Sequence, residues 1–255
     1  MEWRAEGILL SVRKHGENGV IIDTLTAEHG RHAGLVHGGA GRRYTATLQP
    51  GNQLALTWRG RLPENLGTFS TAELLRSRAG MAFGEREALA TLDSTRALLS
   101  TLLPERAAMA ELYAGTTALL DVLDQPDARR LAYARWELLL LAELGLALDL
   151  GRCAVTGARE GLAWVSPRSG RAVTAATGAE YADRLLPLPA FLTARGIAPD
   201  RAALAEALTM TGYFLETWAI RNSLDRPLPA ARERLLAQLQ QPGRKPGAAA
   251  GREHR

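Results

Sequence analysis

The first third of the chain alternates apolar and polar residues in short runs, and this pattern restricts the fold more than any other feature. In the run QLALTWRGR (residues 53–61), one face of an extended strand carries Leu54, Leu56 and Trp58. The opposite face carries Thr57, Arg59 and Arg61. Further runs bounded by Gly, Pro or Asn predict strands at GILLSVR, GVIIDTL, RHAGLVH, YTATL and GTFSTAEL. Five or six short strands favour a small closed β-barrel in residues 1–79, with an apolar interior and a basic exterior.

The remainder of the chain is typical of helices. From about residue 81 alanine and leucine dominate, and helices are predicted at 84–103, 105–124 and 127–148, with Pro104 and Pro126 at helix starts. Residues 149–182 lose the helical period, which predicts a compact loop or a small β insertion. Helices resume after LLPLPAFL with a stripe formed by Leu204, Leu208, Leu215 and Trp218. Residues 80–241 are therefore predicted to form a helical domain, and the fold class is α+β.

The longest apolar run, WELLLLAELGLAL (residues 136–148), contains Glu137 and Glu143. It is too short and too charged to cross a bilayer, so it predicts a buried helix. The first residues, MEWRAEG, lack the basic start and the apolar stretch of a secretory signal. We therefore expect a cytoplasmic protein that has no membrane partner.

Positive charge is distributed unevenly along the chain. The isoelectric point is about 9.6 and the formal net charge is +4. Residues 1–79 carry a net charge of +3, residues 80–241 carry −2, and residues 242–255 carry +3. The barrel and the tail therefore indicate an anionic partner, whereas the helical middle does not. The tail (242–255) has no apolar anchor and is predicted to be disordered.

The sequence lacks the common motifs of covalent chemistry. It contains no Walker P-loop, no GxSxG, no HExxH and no complete GxGxxG. Its one cysteine, Cys153, excludes an intramolecular disulfide, and no histidine lies in the same segment to activate it as a nucleophile. We therefore expect a protein that binds rather than catalyses, and that needs no cofactor.

Several segments together resemble the RecO family of bacterial recombination mediators. They are GILLSVRKHGENGVIIDTLTAEHGR, HGGAGRR, Leu48-Gln49-Pro50, Arg135-Trp136-Glu137-Leu138 leading into LLLLAELG, and the insertion that starts at Arg152-Cys153. The resemblance covers nearly the whole chain. It implies an N-terminal OB-fold followed by a helical domain with a zinc-binding insertion. It also implies binding of single- and double-stranded DNA, strand annealing, cooperation with RecR and the single-stranded-DNA-binding protein, and a cytoplasmic, nucleoid-associated location.

The insertion departs from the pattern of that family. Members with zinc carry a Cys-x-x-Cys pair followed by a second pair, which suits tetrahedral thiolate coordination. Here the first pair is Cys153-Ala154-Val155-Thr156, and residues 173–178 contain neither cysteine nor histidine. We therefore predict an insertion without metal that is held by packing of Leu162, Trp164, Val165 and Val173.

The residues predicted to contact DNA are seven of the ten cations in residues 1–79. They are Arg13, Lys14, Arg31, Arg42, Arg43, Arg59 and Arg61. The family often has an arginine where this chain has Ala40 or Gly41, so the cationic cluster is thinner here. Trp58 belongs to the apolar face, and phosphate contacts are therefore expected to dominate over stacking. The alternative is that these charges are solvated and only protect the edges of the strands from aggregation.

The resemblance also implies that Arg135 forms part of a pocket for the acidic, phenylalanine-tipped tail of the single-stranded-DNA-binding protein. The alternative is a surface arginine whose stem lies over the helical core. Two other functions stay open, namely a protein-only adaptor whose barrel binds no DNA, and an RNA-binding OB protein. Phosphate contacts do not distinguish the two sugars.

Overall fold

The computed structural model describes residues 1–62, 65–194, 196–222 and 227–241, and its first five strands close into a β-barrel. The strands are β1 (Glu2–His15), β2 (Gly19–Thr26), β3 (Gly30–Val36), β4 (Gln53–Arg59) and β5 (Thr68–Arg76). Their order around the barrel is β1-β2-β3-β5-β4, and β4 pairs with β1 to close it. All neighbours are antiparallel except β3 and β5, which run parallel. A five-stranded barrel of this kind is an OB-fold, so the predicted barrel is confirmed.

Alternation along the strands gives the barrel a packed interior. The interior residues are Leu9, Val20, Ile22, Val36, Leu48, Leu54, Leu56, Trp58, Phe69 and Ala72. The predicted inward face of β4 is confirmed, since Leu54, Leu56 and Trp58 are all buried. Part of the outer side is also covered, because Ile8, Leu10 and Leu25 pack in a second core together with the helices.

The predicted strand YTATL is wrong, because this segment closes one end of the barrel as a helical turn. Arg42–Tyr44 forms a 3-10 turn, and the Leu48 N–H donates to the Tyr44 carbonyl at 2.8 Å. Tyr44 and Leu48 therefore lie on one side of the turn and pack against the barrel interior. The side chain of buried Asn52 donates to two carbonyls of the turn, which satisfies them without a neighbouring strand.

The second core lies among the helices. They are α1 (Arg86–Leu102), α2 (Ala110–Leu120), α3 (Pro126–Glu143), the single turn α4 (Ala175–Gly178), α5 (Arg201–Arg221) and α6 (Ala230–Gln240). The first predicted helix is confirmed, whereas α2 begins later than residue 105 and Pro104 lies in the connection before it. Pro126 does occupy the first turn of α3. No described helix is both long enough and apolar enough to cross a membrane.

The predicted helix 127–148 is too long at its C-terminal end. Gly145 adopts a φ of 83°, which ends α3 in a left-handed turn. The indole N–H of Trp218 on α5 donates to the Leu144 carbonyl at 2.8 Å, so this free carbonyl is satisfied from another helix. The rest of the apolar run continues as an extended connection towards the insertion.

The insertion is a small three-stranded sheet, as one of the two predicted alternatives stated. Its strands are β6 (Leu162–Val165), β7 (Ala172–Thr174) and β8 (Leu186–Pro187), in the order β7-β6-β8. The sheet therefore extends beyond residue 182, the predicted boundary. Val165 and Val173 are buried, whereas Leu162 and Trp164 are only half-buried.

The barrel meets the helical region in a close backbone contact at the start of β3. A Cβ atom on Gly30 would lie 1.8 Å from the carbonyl oxygen of Ala107, so a side chain at this position would displace the backbone. The next residue, Arg31, accepts a backbone hydrogen bond from Arg106 at 2.8 Å. The connection between α1 and α2 is thereby fixed against the barrel, and we call this contact the Gly30–Arg31 junction.

A buried ion pair between Glu137 of α3 and Arg232 of α6 holds the helices together. Arg232 Nε and Nη2 each donate to a carboxylate oxygen at 2.9 Å, and both side chains are at most 2% exposed. The Glu137 carboxylate also accepts hydrogen bonds from Tyr133 and from Thr211 of α5. Burial alone lowers the pKa of Arg232, but the charge of Glu137, its hydrogen bonds to Arg232 and smaller charge contributions together outweigh burial and raise this pKa. Three helices therefore meet at one carboxylate.

We expect Glu137→Gln to lower the free energy of unfolding by about 3–5 kcal/mol, because it leaves the Arg232 charge buried without a counter-charge. Urea denaturation, monitored by far-UV circular dichroism, measures the free energy of unfolding. The matched control is Arg59→Gln, which breaks an exposed ion pair and should cost about 0–1 kcal/mol. Equal losses for the two variants would contradict the role given to the buried pair.

Candidate nucleic-acid interface

A continuous row of outward-facing residues crosses all five barrel strands and ends in an arginine on each side. Arg13 on β1 is the cross-strand partner of Ile21 on β2, and Ile21 is the partner of Leu35 on β3. Leu35 pairs with Thr68 at the start of β5, and Thr68 pairs with Arg59 at the end of β4. Cross-strand partners project to the same face, and both arginines are exposed. We call these five residues the outer row.

Three more of the predicted cations lie at the end of the barrel near this row. Lys14 is exposed and pairs with Val20, an interior residue, so it lies on the side of β1 opposite to Arg13. Arg42 and Arg43 are exposed in the 3-10 turn that follows a loop touching the β1–β2 turn. Arg43 is partly engaged, since its guanidinium lies 4.6 Å from the centre of the Tyr44 ring and donates to the Tyr44 hydroxyl at 2.9 Å.

At the other end of the outer row, Arg59 forms an ion pair with Glu2. Arg59 Nε lies 2.9 Å from the carboxylate, and the two side chains are 61% and 42% exposed. A pair this exposed contributes about 0–1 kcal/mol, so a phosphate can replace Glu2 at little cost. Arg61 follows the strand and is exposed as well.

The structure places Arg31 differently from the other predicted cations. Its Nε donates to Asp23 at 2.8 Å, its Nη1 donates to the Leu103 carbonyl at 3.1 Å, and its Nη2 lies 3.7 Å from Glu105. The guanidinium is therefore engaged on all three nitrogens at the Gly30–Arg31 junction. Its DNA contact stays a prediction, and we leave Arg31 out of the proposed interface because its guanidinium already has these partners.

Arg4 is an exposed cation of the barrel that the sequence did not predict as a DNA contact. The first strand was predicted to begin at residue 7, whereas β1 begins at Glu2 and includes Arg4. Arg4 pairs with Thr57 on β4, on the same outward face as Arg59. The alternation of Trp3 inward and Arg4 outward was the signal that would have extended the strand.

Arg135 is exposed on α3, which belongs to the helical region and not to the barrel. Three leucines flank Arg135 on the helix surface, because residues three or four apart are neighbours on a helix. They are Leu131, four residues before it, and Leu138 and Leu139, three and four residues after it. Each of them is partly exposed. The arrangement is a guanidinium beside an apolar strip, which suits a peptide that ends in an aromatic side chain and a carboxylate.

In the insertion, four residues occupy the spacing that two Cys-x-x-Cys pairs would occupy. They are Cys153, Thr156, Thr174 and Thr177. The Cys153 sulfur lies 4.0 Å from Thr174 Oγ1, which in turn donates to Thr177 Oγ1 at 2.9 Å. Burial raises the pKa of the Cys153 thiol, but hydrogen bonds led by those of Thr156 outweigh burial and lower it to about 6.

The insertion is therefore held by a cluster of hydrogen bonds as well as by the predicted packing. We call these four residues the Cys–Thr cluster. The second half of this cluster gave no metal-ligand signal in the sequence, because residues 173–178 contain neither cysteine nor histidine. Within the described part of the chain, no group of three or more His, Cys, Asp or Glu residues could hold a metal ion.

Comparison with known proteins gives matches over nearly the whole chain. The family model "Recombination protein O N terminal" matches residues 1–78, and "Recombination protein O C terminal" matches residues 85–223. The chain is 52% identical to the DNA repair protein RecO of Ruegeria sp. (strain TM1040) over 239 residues, which cover 94% of this chain and 98% of that protein. It is 48% identical to the protein of the same name from Paracoccus denitrificans (strain Pd 1222), over 94% of this chain and 96% of that protein.

We expect the purified protein to carry far less than one zinc per chain, and a chelator to leave its melting temperature unchanged, because one thiolate cannot hold a structural zinc. Replacing Thr156, Thr174 and Thr177 of the Cys–Thr cluster with cysteine should create a four-thiolate site. Zinc should then raise the melting temperature of the triple variant, and a chelator should reverse the rise. Stoichiometric zinc in the unmodified protein, measured by elemental analysis, would contradict this interpretation.

Proposed function

This chain belongs to the recombination protein O (RecO) family, and we propose that it acts in DNA repair and recombination by binding DNA on its barrel and annealing complementary strands. The observation that carries the proposal is the outer row, which presents an exposed arginine at each end of a partly apolar surface. An OB-fold uses such a surface to track the phosphates of a strand. The proposed work is binding alone, without covalent chemistry or a cofactor.

The physical basis of annealing is the neutralisation of phosphates. Two complementary strands repel each other, and cations that neutralise phosphates on both strands lower this repulsion. The exposed arginines of the outer row and those of the nearby 3-10 turn would supply these cations. We further propose that the protein works with RecR in the cytoplasm, at the nucleoid, and helps to load RecA on DNA that is coated by the single-stranded-DNA-binding protein.

The contact to the coating protein is proposed at Arg135. Its guanidinium would bind the terminal carboxylate of the acidic tail, and the flanking leucines would receive the terminal phenylalanine. This surface belongs to α3, whereas the proposed DNA surface belongs to the barrel. The two bindings are therefore expected to be separable by mutation.

A protein-only adaptor is the second candidate function, and one observation favours it. Arg31 is engaged at the junction, and Arg43 and Arg59 have intramolecular partners, so the cationic surface is thinner than the sequence indicates. An RNA-binding barrel would use the same phosphate contacts. Competition between matched DNA and RNA oligonucleotides separates the RNA candidate from the DNA candidate.

We expect single-strand binding to fall steeply with salt, and alanine at Arg42, Arg43, Arg59 and Arg61 together to flatten that dependence. Each lost phosphate contact should reduce the slope of log affinity against log salt by about 0.7 for single strands. Fluorescence anisotropy with a labelled oligonucleotide measures the slope. The same variant should anneal complementary oligonucleotides more slowly.

The matched control replaces four exposed arginines of the insertion, Arg152, Arg159, Arg168 and Arg184, with alanine. This control removes as much positive charge as the barrel variant, and it should leave the slope of log affinity against log salt unchanged. If both quadruple variants keep it, the DNA site lies elsewhere. If the unmodified protein binds no DNA at low salt, the adaptor function is the better one.

We expect Arg135→Glu to weaken binding of a peptide that ends in an acidic, phenylalanine-tipped sequence, while affinity for bare DNA stays nearly the same. The matched control is Arg234→Glu, which reverses the charge of an exposed arginine on α6. Calorimetric titration of the peptide and anisotropy of the DNA report the two bindings. If the affinities for the peptide and for DNA fall together, or if neither falls, the tail does not bind at Arg135.

A further inference from the structure

A pocket of about 330 Å³ opens where the start of β1 meets the β2–β3 turn. Its lining includes Glu2, Trp3, Glu28, His29, His32 and Arg106. The Trp3 ring stacks on His29, with centroids 4.2 Å apart, and on buried Trp58, with centroids 5.8 Å apart. The three rings are nearly parallel and lead from the barrel core to the pocket. A planar aromatic ligand can extend this stack.

The pocket contains a buried histidine whose polar atoms are unused. His32 is 4% exposed, and neither of its ring nitrogens has a hydrogen-bond partner among the described residues. Buried side-chain nitrogens are nearly always partnered, so this one calls for a ligand or a water. Burial, helped by the Arg106 and His29 charges, lowers the pKa of His32 to about 4. At neutral pH the ring therefore offers one N–H donor and one acceptor nitrogen.

Arg106 supplies a second polar edge to the pocket, from a constrained backbone. It is the only non-glycine residue with a positive φ (64°) in the described parts of the chain. The conformation is held by its own N–H, which donates to the Arg31 carbonyl at the Gly30–Arg31 junction, and by its Nη2, which donates to the Asn65 carbonyl at 2.9 Å. Its Nε has no partner among the described residues.

The charges of the lining decide which ligand fits. The lining carries two carboxylates, Glu2 and Glu28, and two cations, the Arg106 guanidinium and the Met1 ammonium, so it has no excess of positive charge to attract a phosphate or an acidic peptide. A neutral planar ring with donors and acceptors at its edge fits the stacked rings and the unused nitrogens. The position points to a nucleobase, because Glu2 is also the ion-pair partner of Arg59 at the end of the outer row. Phosphates bound along the outer row would bring a base to the pocket.

We propose that this pocket binds one unstacked base of a single strand, with the base stacked on the Trp3–His29 rings and its edge hydrogen-bonded to His32 and Arg106. The proposal rests on the proposed function, since the outer row is to hold the phosphates of the same strand. A base in a duplex is not free to enter the pocket. The pocket therefore gives the barrel a preference for single strands that phosphate contacts alone do not supply.

The test compares two labelled strands of about 16 nucleotides, the upper end of the site size of an OB-fold. One is oligothymidine, and the other carries an abasic sugar at every position, so that the phosphates are the same and the bases are gone. We call the ratio of their affinities the base ratio. The full chain should show a base ratio of about ten, since one stacked base contributes about this much. The salt slopes should be equal for the two strands.

Two variants change the pocket in different ways. His29→Ala removes the outer ring, and His32→Phe keeps a ring of similar size but removes both nitrogens. Each should bring the base ratio close to one while affinity for the abasic strand stays the same. His15→Ala, which removes an exposed histidine of the same barrel, is the matched control and should keep the ratio. Melting curves show whether each variant is folded, and His29 is the safer position because it is only half-buried.

The outcomes separate the pocket from the proposed function. Alanine at Arg42, Arg43, Arg59 and Arg61 should weaken binding of both strands and keep the base ratio. A base ratio near one in the unmodified protein, or a ratio that survives in folded His29→Ala, would overturn the pocket proposal alone. If His29→Ala loses binding of a phenylalanine-tipped peptide and keeps the base ratio, the pocket binds a peptide. This result would also overturn the pocket proposal. If neither strand binds the unmodified protein, the proposed function fails with it.

Discussion

The barrel and the helical region meet at Gly30 and Arg31 without room for a side chain. Glycine is required there because the Ala107 carbonyl lies where a Cβ atom would be. The contact also orders the connection between α1 and α2, and this connection carries Arg106 into the pocket. The geometry of the candidate base site is therefore set by a junction between the two regions, and neither region contains the site alone.

Local patterns predicted those parts of the fold that local forces determine. The two-residue period located the strands of the barrel, and Ala- and Leu-rich segments located α1 and α3. The pattern failed where a distant contact prevails over a local preference. YTATL alternates like a strand, yet it closes the barrel as a turn in which Leu48 is buried and Tyr44 packs against the barrel interior. The run after Glu143 stays apolar, yet the helix ends where Trp218 caps it from α5.

The candidate interface was predictable in its charge and not in its arrangement. The count of cations assigned the candidate interface to the barrel. It did not show that Arg31 is engaged at a junction or that β1 begins early enough to include Arg4. The pocket had no sequence signal at all. Trp3, His32 and Arg106 lie far apart along the chain, and only the closure of the barrel against the α1–α2 connection brings them together.

The high isoelectric point combines two populations of arginine with different physical roles. Arg78, Arg129 and Arg232 are each about 1% exposed and cross-link elements through carboxylates, so they add positive charge to the sequence and none to the surface that a partner meets. Breaking such a pair is costly because the remaining charge stays buried. Exposed arginines such as Arg13 and Arg61 form no ion pair within the described residues, and they cost little to engage with a phosphate. Affinity for an anionic partner therefore follows the second population, so the net charge of +4 is a poor guide to the strength of the interface.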